Sequence, residues 1–263
     1  MSRAVTLPRP VTDAIVARIG PFEVIPASGG HHAEVAARVI GRVRTVFVKA
    51  ACSDFGVRSL RFEARVSRAV GASLSPAVEW QCEWGGWLVV AFECCDGPHA
   101  DLSPGSPDLD LLASAVERLG RMPAPDLSLF SPTARLGFAT ADLEGATLVH
   151  TDLNRANLIV TAGGLRIVDW AMAAKAAPWL ELALLVPWLI GSGHSPEQAE
   201  QWVARFPVWR ATDAAVVADF ASKNAAKWLR KAQENPVGWA RDLADWTGRW
   251  SAYQRGKASA ERL

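Results

Sequence analysis

The stretch Leu148–Trp170, LVHTDLNRANLIVTAGGLRIVDW, restricts what this 263-residue chain can fold into more than any other. Two short apolar runs, LIV and LRIV, flank TAGG, the pattern of a tight β-hairpin. A polar loop, HTDLNRAN, leads into the first strand, and Asp169 ends the second. The hairpin therefore predicts that Asn157 and Asp169 become near neighbours, with Asp152 a few ångströms away. Asp and Asn also serve ordinary turns. Turns alone would have to account separately for His150, Asp152, Asn157 and Asp169 in this order around a hairpin.

The donor types suggest the chemistry. An amide oxygen (Asn157) and a carboxylate (Asp169) are hard ligands, few in number, of the kind that magnesium takes together with water and phosphate oxygens. A second carboxylate, Asp152, is placed to accept or orient the proton of an attacking hydroxyl. An Asp followed five residues later by Asn, then a hairpin and another Asp, is the phosphoryl-transfer layout of kinases.

The first half supplies what such a site needs for a nucleotide. Lys49 is the only lysine there, in TVFVKAA, and strand alternation puts it on one face with Thr45 and Phe47. In VRSLRFEARVSRAVGA, Glu63 falls with Val66 and Val70 on the inward face of a helix, while Arg58, Arg61, Arg65 and Arg68 form the opposite stripe. An inward carboxylate needs a partner, and Lys49 is the expected one. Ahead of that strand lies ASGGHHAEV, read as the loop over the phosphates, with Ser28, Gly29 and Gly30 offering backbone amides. Gly-Gly also makes plain hairpins, and His31 and His32 read as solvated loop residues. Adenine is expected against the linker near Glu93 and Cys95.

These residues resemble the aminoglycoside phosphotransferase and choline kinase-like family, which shares the protein kinase fold. HTDLNRAN…IVDWA carries the likeness, and VHTDL with APWLELA resembles small actinobacterial members. The resemblance implies that Asp152 is the catalytic base, that Asn157 and Asp169 bind magnesium and that His150 supports the loop. It also implies a Lys49–Glu63 pair. Glu181 stands where those relatives carry Asp, and is expected to brace the loop. Arg155 is a further candidate for contact with the transferred phosphate.

The expected fold class is α+β: a two-lobed kinase-like fold with an antiparallel N-terminal sheet and one helix, residues 1–97, and a mostly helical C-terminal lobe, residues 98–263. The expected function is transfer of the γ-phosphate of ATP, with Mg2+, to a hydroxyl of a small-molecule acceptor. The competing reading is a catalytically idle nucleotide-binding regulatory module, kept open by the sparse phosphate loop.

Bulk properties bear mainly on partners. With 28 basic and 27 acidic residues, net charge +1, no global field favours nucleic acid or an anionic membrane. The most apolar run, WLELALLVPWLIGSG, is broken by Glu181 and Pro187 and is too short to span a bilayer. The N-terminus lacks the apolar centre of a signal peptide. Cys52, Cys82, Cys94 and Cys95 show no CxxC spacing and read as reduced thiols, so a cytoplasmic location is expected.

For the acceptor the sequence says less. From Ser195 onward eight acidic and eleven basic residues give a net of +3, which does not favour a polycation. Only 28 residues separate Arg121 from His150, leaving no room for the longer helical insertion of larger relatives. Trp239, Leu243, Trp246, Trp250 and Tyr253 recur as a helix face, read as core packing, with one or two rings in an acceptor pocket as the alternative. A protein-kinase role is disfavoured: no Ser, Thr or Tyr lies between Trp170 and Gly191 to be switched by phosphorylation.

Overall fold

The structure is a computed structural model that describes residues 7–27 and 33–260. Ser28, Gly29 and Gly30, expected over the phosphates, and His31 and His32 beside them lie outside the described residues. The chain forms two compact units, residues 1–98 with 159–171, and residues 99–158 with 172–263. The segment 159–171, expected in the second part of the chain, thus clusters with the first.

The first unit is built on a five-stranded antiparallel sheet, β1 (Phe22–Pro26), β2 (Val35–Gly41), β3 (Thr45–Ala51), β4 (Val78–Trp84) and β5 (Trp87–Glu93), in the order β1-β2-β3-β5-β4. The β4–β5 turn has Gly85 at φ 54° and Gly86 at φ 81°. Both central residues sit in the left-handed region that a two-residue hairpin turn demands and that glycine adopts without penalty.

A helix covers each face of this sheet. Besides the expected α2 (Asp54–Val70), a second helix, α1 (Arg9–Ile19), packs Val11, Ala14 and Ile15 against Val46, Val48 and Ala50. Helix α2 packs Leu60 and Ala64 against Val90, Phe92 and the half-buried Phe47. Strand alternation does the rest: with Val46, Val48 and Ala50 on the α1 side, Thr45, Phe47 and Lys49 belong to the α2 side. Helix α2 starts on the Ser53 hydroxyl, which accepts from Gly56 N–H at 3.1 Å, and stops at Gly71, φ 80°. Its four stripe arginines are exposed and Glu63 is buried.

The second unit comprises α3 (Asp108–Gly120), α4 (Pro132–Leu136), β6 (Thr147–Val149), β9 (Ala174–Ala176) and the helices α5 (Trp179–Gly191), α6 (Pro196–Val203), α7 (Pro207–Ala211), α8 (Ala214–Glu234) and α9 (Gly238–Ala260). The hairpin strands β7 (Leu158–Thr161) and β8 (Gly164–Ile167) pair with each other, and the unit boundary falls after Leu158. Helix α5 is buried and, apart from Glu181 in its first turn, apolar all round, as a central helix must be. Ser195 and Gln198 form a capping box at the start of α6. Trp250 is fully buried, stacked on Trp209 at 6.4 Å and tilted against Phe220 at 6.1 Å. Its indole N–H donates to Glu200 at 3.0 Å. The aromatic stripe of α9 is therefore core at Leu243 and Trp250, but Trp239 is 53% exposed. The buried face is rotated toward Ala240, Thr247 and Ser251.

Gly191 ends α5 where the Trp246 ring lies so close that a methyl group would stand 2.6 Å from it. Gly191→Ala should therefore lower stability by about 1–2 kcal/mol, overpacking outweighing the gain in helix propensity. Urea denaturation at equilibrium measures this; an unchanged midpoint would contradict the packing described.

Among the described residues no helix is long and apolar enough to cross a membrane.

Candidate active site

In the first unit the structure brings together three residues that are remote in sequence. The Lys49 ammonium lies 2.7 and 2.9 Å from the two carboxylate oxygens of Glu63 and 3.1 Å from Asp169 Oδ1. Lys49 reaches this point because β3 turns it toward α2, and Glu63 because α2 turns it inward. Asp169 arrives from the end of β8 with φ 64°, a left-handed conformation that Asp tolerates better than most residues. The Trp170 backbone N–H donates to Glu63, and the Trp170 indole N–H donates to Ile167 O at 2.9 Å, which anchors the chain just past Asp169. The side chains of Lys49, Glu63 and Asp169 are only 15%, 5% and 25% exposed. Burial works to lower the lysine's pKa, but the two carboxylates outweigh it and raise it, so the ammonium is held charged.

The second unit holds the loop that carries Asp152 and Asn157. It follows β6, which pairs antiparallel with β9, so its start is fixed by a sheet. The Asn157 amide nitrogen donates to Asp152 O at 2.9 Å and Asp152 Oδ2 at 3.3 Å. This ties the two ends of the loop together and leaves the amide oxygen of Asn157 out of these two bonds. Asp152 N–H donates to His150 Nδ1 at 3.3 Å, and His150 is fully buried. His150 is thus bonded to the first residue of the Asp152–Asn157 segment. Arg155 is exposed, its Nε donating to Ala100 O at 3.2 Å.

Glu181, at the start of α5, accepts hydrogen bonds from the backbone N–H groups of His150 and of Thr151, the latter at 3.1 Å. Burial pushes its carboxyl up to about 7, against the pull of those two N–H groups; Asp152 adds to the rise and Arg135 opposes it. The folded pKa thus lies above the ordinary 4.5. Between those values the native state binds more protons than the unfolded chain, so this group reduces stability as pH rises from about 4.5 to about 7. The ionised form is also the one that accepts both N–H bonds. Activity that depends on the loop should therefore rise with an apparent pKa near 7. Glu181→Gln should flatten stability over that window and lower kcat by about tenfold to a hundredfold, because an amide leaves one uncharged acceptor oxygen for the two N–H donors. A pH–stability curve and a pH–rate profile check this; a variant with the wild-type profile would contradict the bracing role.

Two residues of this loop's support went unforeseen. Thr151 has φ 69°, a strained conformation for a β-branched residue. It is held from several sides: its hydroxyl donates to Met172 O at 2.9 Å and accepts from Arg135 Nε at 2.7 Å. Arg135 Nη2 lies 3.4 Å from Thr151 O. Arg135 comes from α4, which starts at Ser131-Pro132 and stops at Gly137. Its contact is with a residue 16 positions away.

Near the linker, Glu93 Oε2 accepts from Ala77 N–H at 3.2 Å, and Glu93 Oε1 lies 3.5 Å from Arg166. Burial, with Glu93 adding to it, pushes the Cys95 thiol up to about 11, so it is an inert neutral group. Among the described residues all four cysteines are free.

Comparison with known proteins bears on the fold and on residues 138–215. Residues 138–215, which include the Asp152 loop, Asp169 and Glu181, match the model of the phosphotransferase enzyme family. No curated protein matches the chain by sequence. Among solved structures, a thermostable mutant of aminoglycoside phosphotransferase APH(4)-Ia, in complex with ADP and hygromycin B, superposes with a TM-score of 0.62 at 16% identity, covering 93% of this chain and 98% of that one. Macrolide 2'-phosphotransferase MphH from Brachybacterium faecium superposes with a TM-score of 0.57 at 15% identity, covering 91% and 98%. The α+β fold is that of these phosphotransferases.

Proposed function

We propose that this chain is an ATP- and Mg2+-dependent O-phosphotransferase that acts on a hydroxyl of a small molecule. The observation that carries the reading is the Lys49 ammonium held between Glu63 and Asp169, residues 14 and 120 positions away in sequence. Structural ion pairs rarely need one cation between a buried and a half-buried carboxylate; a nucleotide site does, because the lysine must be aimed while remaining available to phosphate.

The residues fit the absent groups. One lysine does not neutralise both Glu63 and Asp169, so the cluster retains negative charge that suits a divalent cation. Asp169 and the amide oxygen of Asn157 are the hard donors proposed for magnesium. When bound, magnesium supplies neutralisation of phosphate charge. Lys49 binds the nucleotide phosphates and Glu63 aims it. Ser28, Gly29 and Gly30 offer backbone amides to the phosphates, and the linker at Glu93 and Cys95 faces the base of the nucleotide. Asp152 has one oxygen engaged by Asn157, and the other, Oδ1, is the atom proposed to accept the proton of the acceptor hydroxyl. Arg155 is proposed to meet the transferred phosphate, for which it must leave Ala100 O.

The fold and the family match of residues 138–215 support phosphotransfer to a small molecule in general. The test is transfer of label from γ-labelled ATP to a panel of amino sugars, nucleosides, sugar acids and amino alcohols. Transfer that requires Mg2+ supports the proposal. ATP binding without transfer to any of them would instead favour the catalytically idle module.

A further inference from the structure

We propose that the face beside Asp152, built by Arg135 of α4 with Lys227 and Lys231 of α8 around Trp228, binds the anionic group of a hydroxylated acceptor, a carboxylate or a phosphate. This rests on the phosphotransferase reading and names the acceptor class.

Arg135 is fixed to Thr151, the residue immediately before Asp152, by the two hydrogen bonds given above. The turn after α4 is fastened to α8: Phe138 packs on Phe220 with centroids 5.7 Å apart, and Thr140 hydrogen-bonds Asp219. Residues 220, 224, 227 and 231 then follow one another at helical spacing, so Lys227 and Lys231 lie two to three turns along the face that meets the Arg135 segment. The two ammonium groups stand 5.4 and 5.0 Å from the Trp228 ring centroid, and Trp228 meets Trp239 edge to face at 5.9 Å.

The charge balance of this face is unusual. Lys223, one turn earlier, is paired with Asp219 at 2.7 Å. Among the described residues Lys227 and Lys231 have no such carboxylate. Burial pushes the Lys227 ammonium down to about 8, with the positive charges of Arg135 and Lys231 adding to the fall. Burial works against the Arg135 charge, and Asp152 and Glu181 favour it; among the described residues the two lysines have no such counter-charge. Asn224, one turn before Lys227, is 2% exposed, and its Oδ1 lacks a hydrogen-bond donor. A half-buried Lys227 beside an exposed Lys231, in excess of carboxylates, and an unsatisfied acceptor are what an anion bearing hydroxyl groups would satisfy.

The experiment holds the hydroxyl scaffold constant and varies the charge. Thermal unfolding of the full chain is measured with 10 mM glucose, glucosamine, gluconate or glucose 6-phosphate, and separately with ATP and Mg2+. At least one of the two anions should raise Tm by about 3 °C, and glucose and glucosamine by much less; which anion acts distinguishes carboxylate from phosphate. In Lys227→Met and Lys231→Met the anion shift should fall below one third, while the shift from ATP and Mg2+ stays as in the wild type. Equal or larger stabilisation by glucosamine, no shift from either anion, or an anion shift retained in both variants would overturn the proposal. A shift with ATP alone leaves the phosphotransferase reading standing while this inference fails; a shift with anions alone shows an anion site but removes the phosphotransferase reading, and the acceptor role with it.

Discussion

Asp152→Asn should lower the rate of phosphate transfer by about a thousandfold, the middle of the range for losing a general base, while leaving nucleotide affinity within about twofold. The substitution is nearly isosteric. Asn157 keeps its bonds to the residue 152 carbonyl and to a side-chain oxygen, so the loop retains its shape. What is lost is a carboxylate able to take up a proton. Single-turnover transfer with saturating ATP isolates the effect on the chemical step, and Tm reports the fold. A variant that transfers at the wild-type rate would show that the proton leaves by another route. A variant that loses ATP binding as well would show that Asp152 belongs to the nucleotide site.

Lys49→Met should be the most damaging change to both stability and binding. Methionine fills the same volume, but it leaves Glu63, 5% exposed, and Asp169 as neighbouring carboxylates with no cation between them. Removing one partner of a buried pair costs about 3–5 kcal/mol. In the variant, burial and the neighbouring carboxylate would both hold Glu63 above its ordinary pKa. Stability would then fall as pH rises through the carboxylate range, and the loss of Tm should be greater at pH 8 than at pH 5. Adding Glu63→Gln to Lys49→Met should restore a good part of the lost stability without restoring ATP affinity. That double-mutant cycle separates the structural role of the pair from its function. If Lys49→Met alone unfolds at the wild-type Tm, the pair contributes nothing that burial would require.

The sequence made these residues legible because each sits where a period or a spacing reports on it. Alternation placed Lys49 opposite Val48 and Ala50, and the arginine stripe of α2 marked Glu63 as inward. The tight spacing from His150 to Asn157, followed by a hairpin, marked the loop. Helix α1 was harder to see: Val11, Ala14 and Ile15 have helical spacing, but Pro8 brings no side-chain cap and the short segment offers few periods. Its consequence is large, since it covers the face of the sheet opposite Lys49. Arg135, Thr151 and Lys227 were out of reach for another reason. Their importance comes from contacts between α4, the loop and α8, and neither helical period nor local spacing encodes which exposed-looking cation meets which loop. The α9 stripe shows the same limit. Five apolar positions at ideal spacing still left Trp239 at the surface, because the packing of α8, α5 and Trp209 sets the rotation of the helix.

The central claim, that Lys49 is aimed at a nucleotide, is tested most directly by calorimetric titration of the full chain with ATP, with and without Mg2+. Saturable binding near one nucleotide per chain is predicted, tightened by Mg2+ and weakened at least tenfold in Lys49→Met. Absence of binding, or equal binding by wild type and Lys49→Met, would contradict it.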